Sequence, residues 1–180
     1  MLSLFKPTYM VESVYNIEPS EFIKRGKKVV FADLDNTLIA WNHPKATQEL
    51  INWLDQLNDF GIQVIVLSNN NKDRVEKAVA HTGVTHIPSA FKPCKKGFEK
   101  AFSLVNQPKE NIIMVGDQVI TDIVGANRFK IDSVLVKPIL ASDAWNTKFN
   151  RLIEYNILKL VVKYNPDMEW KDSLDDHLKK

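Results

Sequence analysis

The chain has 180 residues, 44% of them apolar and 26% charged, with a formal net charge of +2. That is the length and composition of one ordinary globular domain able to bury a core of its own. The near balance of charge argues against a broad nucleic-acid-binding face, and the single cysteine, Cys94, excludes an internal disulfide and suits a reducing cytoplasm.

The first expected element is a buried strand at Val29-Val30-Phe31-Ala32, a short apolar run after the turn-like Arg25-Gly26-Lys27. Within Lys45–Phe60, Leu50, Trp53, Leu54 and Leu57 recur at helical spacing, and Gly61 stops that helix. Gln63–Leu67 is apolar and β-branched, a second strand. Lys72–Thr82 reads as a helix closed by Gly83, Val84–Ile87 as a short strand and Lys95–Val105 as a helix. Ile112–Val115 follows as a strand, Thr121–Phe129 as a helix and Ser133–Val136 as the last strand. In Ala144–Tyr164, the apolar Trp145, Phe149, Leu152, Ile153, Ile157, Leu160, Val161 and Tyr164 keep helical spacing, with Lys148, Arg151, Lys159 and Lys163 between them. That pattern fits a helix packed on the domain, or a face for a membrane surface or a partner chain. The N-terminal Leu2, Leu4, Phe5, Tyr9, Met10, Val14 and Tyr15 pose the same choice, and the polar Asp167–Lys180 is expected to fray. No apolar stretch is long enough to span a bilayer, and the first ten residues lack the features of a secretory signal.

Strands alternating with helices through short connections predict an α/β fold, a doubly wound parallel sheet with helices on both faces. A single domain over 1–180 is expected, with its core at about 28–136, an amphipathic helix at 144–164 and a polar tail at 167–180. In such folds ligands gather beyond the carboxyl ends of the strands. The chemical residues should therefore follow the apolar runs. The first run ends in Asp33-Leu34-Asp35-Asn36-Thr37, the second in Ser68-Asn69-Asn70, and the fourth in Gly116-Asp117, with Asp122 shortly after. Lys92, in Lys92-Pro93, lies between the second and fourth.

These residue types suit phosphoryl transfer, which is mostly positioning and neutralisation of oxygen charge. A carboxylate can attack phosphorus as a covalent nucleophile. A dense carboxylate cluster repels a phosphate dianion unless a hard cation such as Mg²⁺ intervenes. A second carboxyl two residues on can protonate the leaving oxygen. A hydroxyl and an ammonium can hold the remaining phosphate oxygens. Several bland readings stand beside these. Asp33 could simply end a strand, Asp122 could cap the following helix, Asn69 and Asn70 could only shape a turn, Asn36 could orient Asp35, and Lys95 and Lys96 rival Lys92. The histidines show no zinc-like spacing, and nothing supplies a base for Cys94.

The set resembles the haloacid dehalogenase superfamily of phosphatases over about Lys28–Val136, with all four of its motifs in order. The resemblance implies Asp33 as nucleophile and Asp35 as general acid/base, with its backbone carbonyl a metal ligand. It implies Thr37 as a brace of the loop, Ser68 with Asn69 beside it as phosphate binders, and Lys92 as the motif-three lysine. Asp117 and Asp122 match the acidic motif, and the implied cofactor is Mg²⁺. A narrower resemblance, to the capless IIIA-type YqeG family, rests on Asp35–Leu38, Gly116-Asp117-Gln118 with Thr121-Asp122, and Leu4-Phe5-Lys6-Pro7. That family is similar to mitochondrial phosphatidylglycerophosphate phosphatases, which implies a phospholipid substrate; with the lone cysteine and the amphipathic 144–164 segment, a cytoplasmic protein in peripheral contact with the membrane is expected. Neither motif gap is long enough for a cap domain, so an open site suited to bulky phosphorylated substrates is expected. Two other functions share this fold: a phosphoacceptor domain, which Asp35 argues against, and a binding module without turnover, which the intact motif set argues against. The sequence carries no signal of oligomeric state, and no nucleic acid is expected as a partner.

Overall fold

The computed structural model describes residues 2–140 and 148–178. Its strands are β1 (Tyr9–Val11), β2 (Val29–Ala32), β3 (Gln63–Leu67), β4 (Thr85–Ile87), β5 (Ile112–Gly116) and β6 (Asp132–Val136). Its α-helices are α1 (Pro19–Lys24), α2 (Gln48–Asp59), α3 (Lys72–Ala78), α4 (Lys95–Phe102), α5 (Val124–Phe129) and α6 (Lys148–Tyr164). All strand pairs are parallel, in the order β1-β6-β5-β2-β3-β4. From β2 the chain builds outward through β3 to β4, then returns to the other side of β2 with β5. The switch of direction therefore lies between β2 and β5, where a doubly wound sheet opens a crevice at its carboxyl edge.

Side chains on β2 alternate between the two faces of the sheet, and each face is covered. Val30 and Ala32 share a core with Leu50, Trp53 and Leu57 of α2 and Val75 and Ala78 of α3. Val29 and Phe31 share the other with Phe98 and Ala101 of α4 and Ala126 and Phe129 of α5. Burial on both sides explains why the strands read as continuous apolar runs. The expected α/β architecture is thus the observed one, and neither connection after β2 or β3 holds an inserted domain.

The differences from expectation lie at ends and edges. α2 begins at Gln48 rather than Lys45, because the Thr47 hydroxyl accepts a hydrogen bond from the Leu50 N–H at 3.2 Å and sets the start. α3 stops at Ala78, ahead of His81 and Gly83, which both adopt positive φ. The expected helix Thr121–Phe129 is divided into a π-helical turn, Val119–Ile123, and α5. β1 and α1 have no counterpart in the sequence reading. β1 adds to the sheet beside β6, and Met10 and Val14 are buried. Leu2 and Phe5 pack against a third cluster that contains Met10, Ile123, Leu135, Val161 and Met168. The N-terminal apolar residues thus largely complete the fold.

α6 joins the same cluster through Ile157, Leu158, Val161 and Val162, while Ile153, Tyr155, Leu160 and Tyr164 remain exposed. Trp145 and the first residues of the expected helix lie outside the described residues. The segment expected to fray is instead fastened over its described part. Leu174 is fully buried, the Lys171 N–H donates to the Met10 carbonyl at 3.0 Å, and Arg25 pairs with Asp175 at 2.9 Å. No helix among the described residues is long and apolar enough to cross a membrane.

Candidate active site

β2 and β5 are neighbours in register, with Ala32 opposite Val115, and the Asp33 N–H donates to the Val115 carbonyl at 2.9 Å. The sheet therefore sets Asp33 and Asp117 side by side at its carboxyl edge. Asp122 comes back to the same point from the π-helical turn. Carboxylate oxygens of Asp33, Asp117 and Asp122 lie within 4.8 Å of one another. Such an all-oxygen set fits a hard divalent cation of the Mg²⁺ kind.

Lys92 reaches the cluster from the loop after β4. Its Nζ donates to Asp33 Oδ1 at 2.6 Å and to Asp122 Oδ1 at 2.7 Å. Its side chain is 1% exposed, so this is a buried ion triad rather than a surface pair. Burial opposes the ammonium charge, yet Asp122 and Asp33 outweigh it and hold the Lys92 pKa above the ordinary lysine range. Burial also pushes the Asp33 carboxyl well above the ordinary carboxylate range. Lys92 works against that rise, and Asp122 and Asp117 add to it. Among the described residues Asp33 Oδ2 accepts no hydrogen bond, which leaves one oxygen of this carboxylate open.

The other expected residues surround this centre. Thr37 donates its hydroxyl to Asp117 Oδ1 at 3.0 Å, tying the loop after β2 to the end of β5. Ser68 is buried at the end of β3, and its Oγ accepts from the Asn70 N–H at 3.0 Å, which leaves its O–H to donate. The side chain of Asn69 is engaged with the chain around Lys92. Its side-chain amide grips the Lys92 backbone in both directions, accepting from the N–H at 2.7 Å and donating to the carbonyl at 2.9 Å. It selects Lys92 over Lys95 and Lys96, which lie in α4. Asn36 adopts φ 66°, and its side-chain oxygen accepts from the Trp41 N–H at 3.3 Å, so it shapes the loop. The Asp35 carboxylate stands apart from the group of three acids. Arg74 of α3 donates to its Oδ1 from Nε at 3.1 Å and Nη2 at 2.7 Å, and Asn70 Nδ2 donates to Oδ2 at 3.3 Å. Cys94 is exposed and free.

Residues 7–130, more than half of the chain, match the haloacid dehalogenase-like hydrolases. The chain belongs to that family. Over 168 residues it is 36% identical to the probable phosphatase YqeG of Bacillus subtilis (strain 168), a match covering 93% of this chain and 97% of that protein. Among solved structures it is similar to a protein of Listeria monocytogenes serotype 4b, with 16% identity over 73% of this chain and 99% of that one and a TM-score of 0.49. It is also similar to the cobalt-bound deoxy-D-mannose-octulosonate 8-phosphate phosphatase YrbI of Haemophilus influenzae, with 16% identity over 77% and 90% of the two chains and a TM-score of 0.48.

In this haloacid dehalogenase-like hydrolase, Asp33, Ser68, Lys92, Asp117 and Asp122 all fall within the matched stretch. Sequence reasoning missed Arg74. A cation on a short polar helix reads as part of a solvated face; the available signal was its position one turn into the helix that follows Ser68-Asn69-Asn70. It also left open whether Asp122 caps a helix. The structure turns its carboxylate inward, where Oδ2 accepts from the Gln118 N–H at 3.0 Å. Gly116 is what makes room for it, since a Cβ there would sit 2.2 Å from Asp122 Oδ2 and 2.5 Å from its Cβ. Gly116→Ala is therefore expected to lower the melting temperature by about 5 °C, an overpacking penalty of about 2 kcal/mol. It should also weaken stabilisation by Mg²⁺, because Asp122 must shift. Melting curves with and without the ion check both effects, and unchanged Mg²⁺ stabilisation would separate Asp122 from the ion site.

Proposed function

We propose that the chain is a Mg²⁺-dependent phosphomonoester hydrolase working through an aspartyl-phosphate on Asp33. The observation that carries this reading is the buried set of Asp33, Lys92, Asp117 and Asp122 at the switch point, with one Asp33 oxygen open. Asp33 Oδ2 attacks phosphorus, the ester oxygen departs, and Asp35 supplies its proton. Asp35, then a carboxylate, takes a proton from water, which attacks the same phosphorus and returns Asp33 to its free form. Lys92 neutralises oxygen charge, and the Ser68 hydroxyl donates to a phosphate oxygen. Asp33, Asp117, Asp122 and the Asp35 carbonyl would hold Mg²⁺, which when bound offsets the charge between carboxylates and phosphate. Thr37 and Asn69 serve as braces in this scheme, Thr37 of Asp117 and Asn69 of Lys92.

The substrate we favour is a bulky phosphate, with phosphatidylglycerophosphate as the candidate. The open site supports this, as does the exposed face of α6, where Tyr155, Leu160 and Tyr164 accompany Lys159 and Lys163 in a pattern that suits peripheral contact with an anionic membrane. The test is release of inorganic phosphate from a panel of soluble phosphomonoesters and of phosphatidylglycerophosphate in mixed micelles, with Mg²⁺ or EDTA. The lipid should exceed the soluble compounds in kcat/KM by about tenfold or more. Preference for a small sugar phosphate would sink the lipid assignment, and turnover in EDTA would sink the metal requirement.

A further inference from the structure

Two acids outside the acidic centre are buried among the described residues, Glu21 and Glu154. Glu21 has a local task. Its carboxylate accepts from the Glu18 N–H at 2.9 Å and from the Asp175 N–H at 2.9 Å, so it starts α1 and fastens the C-terminal segment. Glu154 lies on α6 and is 5% exposed, and its Oε1 accepts from the Ile120 N–H at 2.9 Å. Desolvating a carboxylate is unfavourable unless its partners compensate. The partner here belongs to the active site.

Ile120 is the second residue of the π-helical turn Val119–Ile123, which carries Asp122. The first N–H groups of a helix have no partner within it, and Gln118, at the cap position, provides no side-chain cap. Glu154, 34 residues away, supplies the acceptor from a different element. Negative charge at that end also suits the dipole of the turn and α5, which follow one another directly. The turn is a wide one. The Gln118 carbonyl accepts from the Asp122 N–H at 3.0 Å and the Ile123 N–H at 3.4 Å, and the Val124 N–H reaches back to the Val119 carbonyl. Single π turns are rare, because the ordinary α pitch competes with them. Tightening this one would slip its register by one residue, and each residue of an α-helix turns by about 100°. Asp122 would then swing away from Lys92. In the observed turn Val119 and Ile123 cluster with Ile157, Leu158 and Val161 of α6, while Asp122 faces Lys92 and the space beside Gly116. Two carboxylates grip the turn in this form: Asp122 itself, through the Gln118 N–H at 3.0 Å, and Glu154 from outside.

Resting on the Mg²⁺ site of the phosphatase reading, we propose that Glu154 is a positioning residue: by holding the Ile120 N–H from α6, it fixes the π-helical turn so that the Asp122 carboxylate faces the ion. Glu154 is not among the three carboxylates that converge, and it acts through Asp122.

The test reads the Mg²⁺ Kd of the full chain from the rise of its melting temperature over a series of Mg²⁺ concentrations, alongside the Mg²⁺ dependence of 4-nitrophenyl phosphate hydrolysis. Glu154→Met keeps the length of the side chain and removes the acceptor. It should raise the Kd by about tenfold or more, while kcat at saturating Mg²⁺ stays within about threefold of wild type. Glu154→Gln keeps an acceptor at the same reach and should stay within about threefold of the wild-type Kd. Glu154→Asp keeps the charge but is one methylene short, so it should behave as Glu154→Met does and serves in its place if that variant does not fold. Val161→Ala opens a cavity on the buried face of the same helix and should lower the melting temperature without changing the Kd. A wild-type Kd in Glu154→Met and Glu154→Asp, or an equal rise in Val161→Ala, overturns the proposal. Such a failure leaves Mg²⁺ binding and hydrolysis by wild type intact, which separates it from a failure of the phosphatase reading. If wild type shows no Mg²⁺ response, the ion site falls and the proposal with it.

Discussion

Asp33→Asn is expected to reduce kcat for 4-nitrophenyl phosphate by about 10⁴-fold or more while the far-UV circular dichroism stays unchanged. Nitrophenolate departs without help from a proton donor, so this substrate isolates the attack on phosphorus from the role proposed for Asp35. Asparagine keeps the size of the side chain and removes the nucleophilic charge. The same substitution should stabilise the metal-free protein. Burial raises the Asp33 pKa well above the carboxylate range against the pull of Lys92, with Asp122 and Asp117 adding to the rise. The folded state therefore holds that proton more tightly than the unfolded state does. Stability from it is fully present below the ordinary carboxylate pKa and is lost as pH rises through the raised folded value. Above that raised value the ionised Asp33 is a burden that asparagine lifts, and there the melting temperature should rise by about 2–4 °C for each 1 kcal/mol relieved. The gain should vanish at low pH, and it should reverse in saturating Mg²⁺, which stabilises the wild type through a ligand that the variant lacks. Residual activity within tenfold of wild type would remove Asp33 from the role of nucleophile.

Most of that centre was legible because a doubly wound sheet places chemistry in a fixed relation to its strands. The apolar runs of β2, β3 and β5 are buried on both faces, so they stand out as runs. The first polar residues after them are Asp33, Ser68 and Asp117. What escaped was either too short for periodicity or held by distant partners. Tyr9–Val11 is a three-residue edge strand that exists because β6 offers it a partner. α1 is six residues long and opens on a capping box of Glu18 and Glu21, with glutamate where serine or threonine is the usual sign. In the C-terminal segment, Met168 and Leu174 reach the core, with Trp170 packed beside Met168, from a stretch that is otherwise mostly polar. The Asn69 grip on Lys92 spans 23 residues of sequence, and the Arg74 contact with Asp35 spans 39. No local pattern encodes either, yet together they decide which lysine enters the site and what stands beside the proposed acid.

Lys92→Met should be the most destabilising single change at the site. Methionine keeps the length and flexibility of the lysine stem, so packing is largely conserved and the loss is that of the ammonium. Because Asp122 and Asp33 overcome the burial penalty and raise the Lys92 pKa, its contribution is fully present below the ordinary lysine value. It would be lost only as pH climbs through the raised folded value, so at neutral pH it is all in force. Removing the ammonium leaves Asp33, Asp117 and Asp122 with oxygens within 4.8 Å of one another and without their shared cation. Breaking a buried ion pair from one side costs about 3–5 kcal/mol, which in a chain of this size lowers the melting temperature by about 10 °C. Turnover should fall by about 10³-fold, as when a preorganised donor to a charged oxygen is lost. Electrostatic origin has a signature that packing lacks. Protonation can relieve the crowded carboxylates, and so can a divalent cation, so the deficit should shrink toward pH 5 and in millimolar Mg²⁺. A deficit of the same size at pH 5, at pH 8 and with Mg²⁺ would mean that Lys92 acts by filling space, and the cation-balancing account of this site would be wrong.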